Sequence, residues 1–91
     1  MIKIVLNSDN FSELDFLNNF ITKYNQLKKC NKGIKNNGII TIEMQDNVIK
    51  LFKVECELEA ERKEYCLKLV RGLIQSTTQG YVVENIEVCE V

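Results

Sequence analysis

Ile39 to Glu55, IITIEMQDNVIKLFKVE, is the stretch that most limits what this chain can become. Ile40, Ile42 and Met44 alternate with Thr41, Glu43 and Gln45, the period of a strand with one buried face. Asp46-Asn47 then fits a two-residue type I′ turn, because Asp and Asn tolerate positive φ. Such a turn sets Gln45 opposite Val48, Met44 opposite Ile49, Glu43 opposite Lys50 and Ile42 opposite Leu51. Each good cross-strand pair contributes about 0.2–1 kcal/mol. Past Leu51 the pattern changes: Phe52, Val54 and Cys56 become the apolar set, between Lys53, Glu55 and Glu57. Either a bulge near Leu51 switches faces, or both faces of the strand are apolar. The second option puts Phe52 and Val54 on the side of the sheet opposite Ile42 and Leu51.

The flanking segments read as wrapping for this hairpin. Met1 to Asn7 alternates as a first strand. Asn10 caps a following helix, with Glu13 as its reciprocal partner. That helix runs to about Lys29, with Leu14, Leu17, Phe20, Ile21, Tyr24 and Leu27 as its apolar stripe and Phe16 near the edge. Cys30 to Gly38 reads as a loop punctuated by Gly33 and Gly38, with Ile34 tucked onto the core. A second helix is expected from about Glu57 to Ser76, burying Leu58, Tyr65, Cys66, Leu69, Val70 and Leu73. Arg62 falls in that face, either snorkelling or pointing into a pocket as an anion or partner contact. Glu59–Lys63 and Glu64–Lys68 have the favourable i,i+4 orientation. A turn at Ser76 to Gly80 leads to a last strand over Tyr81–Val91, interrupted at Glu84-Asn85.

The order β-α-β-β-α-β predicts one α+β domain of the ferredoxin-like, split β-α-β kind: a four-stranded antiparallel sheet with both helices on one face. The other face is then uncovered and offers a docking surface. Val5, Thr41, Lys50, Phe52 and Val54 are its expected contacts, beside Ile39, Val48, Cys89 and Val91.

Charge narrows the choice of partner. The 91 residues carry a net charge of -1, so no global field draws nucleic acid or anionic lipid. The five lysines Lys23, Lys28, Lys29, Lys32 and Lys35 nevertheless fall together in a stretch without acids, and they are the contacts a nucleic-acid reading would use. There is no histidine, and the cysteines Cys30, Cys56, Cys66 and Cys89 form no CxxC pair, so neither a metal nor a cofactor is expected. Asp9, Asp15 or Glu43 with a divalent metal would be needed for a small hydrolase or nuclease, but each carboxylate already has a structural explanation. An RNA-recognition motif would need aromatics on the first and third strands, and only Phe52 is present.

The expectation is a non-enzymatic, self-associating protein-binding module. Its partner is another protein or a second copy, with nucleic acid as the alternative. No stretch approaches membrane-spanning length, and Ile4-Val5-Leu6 is too short for a leader's apolar region, so a cytoplasmic protein is expected. The richness in lysine, isoleucine and asparagine suits an AT-rich, low-GC bacterium or its phage, and a phage-borne inhibitor of a host complex is one form the module would take.

Overall fold

The computed structural model describes residues 2–7, 15–30, 33–46 and 48–90 (for 2–7, 36 and 37, the backbone). Five strands and two long helices follow in the order β1 (Ile2–Asn7), α1 (Asp15–Cys30), β2 (Ile34–Gln45), β3 (Val48–Leu58), α2 (Lys63–Thr77), β4 (Val82–Val83) and β5 (Ile86–Glu90). A short 3-10 turn, Ala60–Arg62, leads into α2. The expected capping pair Asn10 and Glu13 lies outside the described residues.

The class is α+β, but the strand order is not ferredoxin-like. β1 pairs with β2 in parallel, Ile2 opposite Gly38 and Asn7 opposite Glu43. β2 pairs with β3 antiparallel, and β3 pairs with β4 and β5 in parallel. The sheet is therefore of mixed direction, and β1 and β3 are not neighbours. α1 ends at Cys30 and β2 begins at Ile34; α2 ends at Thr77 and β4 begins at Val82. Each return strand lies beside the strand that precedes its helix, the commoner placement of consecutive strands, instead of leaving room for another between them. Two β-α-β units result, joined by the β2–β3 hairpin.

That hairpin sets the length of the molecule. Twelve residues of β2 at about 3.3 Å each span the 39 Å long axis. β2 begins five residues before the expected Ile39, because Ile34 is buried and pairs with Leu58. β3 likewise continues through Leu58, where a helix was expected from Glu57: the inward series Phe52, Val54, Cys56, Leu58 keeps period 2 to its end. Gly33 closes the approach to β2. A Cβ there would lie 2.6 Å from Cys66 Sγ and 3.1 Å from Arg62 Cβ, so no larger residue fits without movement.

A bulge decides which residues face the helices. Gln45 pairs with Val48 and Met44 with Ile49, as the turn dictates, and Asp46 takes a φ of 53°. The next pair is Glu43 with Leu51, and then Ile42 with Phe52. Lys50 is the extra residue. Glu43 does not face Lys50, and Ile42 does not face Leu51, because the bulge turns Ile49 and Phe52 to the same side. Ile40, Ile42, Ile49, Phe52, Val54 and Cys56 are essentially buried beneath Phe16, Phe20 and Tyr24 of α1 and Cys66, Val70 and Ile74 of α2. Phe16 is thus central, not marginal. Tyr65, expected in the buried face of α2, is 59% exposed instead.

Aromatic rings key α1 to the sheet. Phe20 meets Phe52 edge-on at 5.1 Å, Phe16 meets Tyr81 at 4.8 Å, and Phe20 stacks on Tyr24 at 5.7 Å. Such pairs add about 0.5–1.5 kcal/mol each beyond burial. Replacing Phe52 by Ala is expected to cost about 3–5 kcal/mol in urea denaturation. Leu51→Asp, one residue away on the opposite face, should cost less than about 1 kcal/mol. Equal losses at both positions would show that the bulge is misplaced.

Candidate interaction surfaces

The residues expected to form one docking face are divided by the bulge. Phe52 and Val54 point into the core and are fully buried. Lys50 sits in the bulge with its Nζ 3.0 Å from Glu84 Oε1. Thr41 stays on the uncovered face, opposite Lys53. Val5 is the register partner of Thr41 in the parallel pair, and Val91 lies outside the described residues.

The β3 residues that alternate with the buried series, Leu51, Lys53, Glu55 and Glu57, line the reverse of the sheet. Register adds Ile39, Thr41 and Glu43 from β2 and Glu87 and Cys89 from β5. Among the described elements, none packs over them. Val48 pairs with Val82, which is 62% exposed, so Val48, Leu51 and Val82 form an apolar patch at the turn end of the hairpin. Sequence alternation could not find Leu51 or Val82, because the bulge and the parallel pairing place them.

The carboxylates Glu43, Glu55, Glu57 and Glu87 frame this surface. Lys53 lies 3.6 Å from Glu55 and Lys35 lies 3.8 Å from Glu57, and the backbone register sets Lys3 beside Ile39. These partly exposed ion pairs contribute little to stability; they offset Glu55 and Glu57, which leaves Glu43 and Glu87 outside them.

The basic residues do not converge. Lys23, Lys28 and Lys29 stand on α1 with Lys28 Nζ 5.7 Å above the Tyr24 ring, while Lys35 is on the sheet beside Glu57. Lys32 lies outside the described residues. Arg62 is exposed at the start of α2, its stem packed against Gly33, with Glu61 and Glu64 among its neighbours. Lys63, expected to pair with Glu59, reaches Glu90 at 3.2 Å instead, because Glu59 precedes the helix. Asp15 opens α1, Glu43 lies on the sheet's reverse, and Asp9 is outside the described residues. No group of three potential metal ligands occurs among the described residues.

A second surface lies between the helices. Lys23, Gln26, Leu27 and Cys30 of α1 face Lys68, Leu69, Gly72, Leu73 and Ser76 of α2 across a groove of about 530 Å³. Among the described residues its lining holds two lysines and no acid. A Cβ at Gly72 would meet nothing within 4 Å.

Below this groove, thiols gather around Tyr24. The Tyr24 hydroxyl is buried without a well-formed hydrogen bond, and the Cys56 thiol is its polar neighbour. Burial raises the Tyr24 hydroxyl well above its ordinary range. Burial also pushes the Cys56 thiol up to about 11, helped by Cys89, Cys66 and Glu90 and opposed by Tyr24. Cys66 is raised by burial too, against the pull of Arg62. Thiols held protonated are poor nucleophiles. Cys30 alone is exposed.

Three predictions follow from this chemistry and packing. Alkylation of the folded protein near pH 8 should modify Cys30 first, with Cys56 and Cys66 reacting only on unfolding, as read by mass spectrometry. Because the folded Cys56 value lies above the ordinary 9.0, its contribution is complete below pH 9 and is lost as pH rises toward 11. Cys56→Ala should therefore flatten the fall in urea midpoint over that window. Gly72→Ala should raise stability by about 0.5–1 kcal/mol, since a mid-helix glycine is costly and the methyl meets open space.

Comparison with protein-family models, with curated proteins and with solved structures yields no match for this chain.

Proposed function

We propose that the chain is a non-enzymatic protein-binding module that docks another protein on the uncovered face of its sheet. The observation that carries this reading is the apolar patch of Val48, Leu51 and Val82, with Glu43 opposite Leu51, on a face that no described element covers. Apolar residues gathered on an open face mark interaction surfaces. Glu43 and Glu87 favour a partner with a basic group beside an apolar anchor. Two copies meeting face to face would oppose these carboxylates to one another, and nucleic-acid phosphates would be repelled. The protonated, buried thiols and the separation of Asp15 from Glu43 support a non-enzymatic role. Inhibition of a host complex by a phage-borne copy is one form such docking would take. In the described residues no helix is long and apolar enough to cross a membrane.

The test compares immobilised wild-type chain with Leu51→Asp and Val82→Asp variants in capture from lysate, with sedimentation of the chain alone. A captured protein that both variants lose, and that Lys23→Glu retains, is the expected result. Capture indifferent to both face variants would sink the reading, and a dimer dissolved by Leu51→Asp would make a second copy the partner.

A further inference from the structure

The groove between α1 and α2 lies on the other side of the molecule from the uncovered sheet face, and its described lining carries lysines without acids. We propose that it binds an acidic amphipathic helix of a partner protein. Three observations support this.

Leu69, Gly72, Leu73 and Ser76 follow the i, i+3, i+4, i+7 spacing of one helix stripe, and Leu27 faces them from α1. The walls are helices whose backbone groups are already bonded within themselves, and they present no strand edge. An occupant gains no backbone pairing from these walls, which favours a helix, whose backbone bonds are already made, over a strand added to a sheet edge.

Lys23 and Lys68 flank this apolar floor, and among the described residues no carboxylate lines it. Acidic flanks on an apolar helix face complement that pattern. Phosphates would meet the lysines but leave the leucines wet. A second copy applied groove to groove would oppose Lys23 and Lys68 to themselves.

Gly72 is the most telling residue. It sits inside α2, where glycine weakens a helix, and no atom of the described residues occupies the space its side chain would fill. Nothing within the molecule requires the missing methyl. An external helix crossing closely at this point does require it.

The test is a display library of helix-biased peptides of about 18 residues, five turns, selected against the full chain. An apolar stripe is fixed and the flanking positions are free to be acidic, basic or neutral. The selected peptides are expected to carry Glu and Asp on both flanks. Binding of a synthesised winner should weaken about tenfold against Gly72→Leu and again against Lys23→Glu with Lys68→Glu. Leu51→Asp should leave it unchanged, which separates this site from the sheet face. Circular dichroism establishes that each variant is folded; if Gly72→Leu is not, the charge reversal carries the test. Selection without acidic enrichment, or affinity unmoved by the groove variants, overturns the proposal. So does an oligonucleotide that binds the wild type and is lost on charge reversal, or a dimer that Gly72→Leu dissolves.

Discussion

The structure depends on how two adjacent strands share one irregularity. Lys50 and Leu51 in β3 lie opposite Glu84 and Asn85, which separate β4 from β5. On either side the parallel register is the same, Val48 with Val82 and Phe52 with Ile86. The gap is held by backbone and side chain together. The Glu84 N–H donates to Ile49 O at 2.8 Å and the Phe52 N–H to Asn85 O at 2.9 Å. Asn85 Nδ2 donates to Lys50 O at 3.2 Å, and the Lys50 ammonium reaches Glu84. A bulge on one strand would ordinarily leave polar groups unpaired. Here the break in the neighbour supplies their partners, so the change of face at Phe52 is stabilised from outside its own hairpin.

Everything placed over the sheet follows from that change. Phe52 becomes the ring that Phe16 and Phe20 pack around, and Val54, Cys56 and Leu58 extend the same row toward the start of α2. At the far end of the row, Gly33 lets Cys66 approach the backbone, and Tyr24 lies over Gly38, whose added Cβ would come within 3.2 Å of its hydroxyl. The Tyr24 hydroxyl is buried with only the weakly polar Cys56 thiol beside it. Removing such a group is often neutral or stabilising, so its place in the core rests on the ring, not the oxygen.

The two outward surfaces differ in their charges. Strand positions that alternate with the buried row carry Glu43, Glu55 and Glu57 with Lys53 and Lys35 among them, whereas Lys23 and Lys68 flank the groove between the helices. Each side has apolar residues at its centre: Val48, Leu51 and Val82 on the sheet; Leu27, Leu69 and Leu73 between the helices. A near-neutral net charge conceals this division, which appears only when the residues are sorted by face.

The sequence by itself determined the elements that local chemistry controls. Alternation marked the strands, Asp46 accepted the positive φ of the turn, helical spacing marked α1 and α2, and Glu84-Asn85 interrupted the last strand. The α+β class and a single helix-covered face follow from these patterns. The letters allow Phe52 either in a bulged strand or on an opposite face, and the expected docking face rests on the second, which is wrong. Tertiary structure decided that question, because the hydrogen bonds that hold the bulge come from residues more than thirty positions away. It also decided the strand order, since a crossover can set β2 beside β1 or leave room for a strand between them, and nothing in the letters chooses. Periodicity reports which side of a segment is buried; it carries no information on which segment lies alongside.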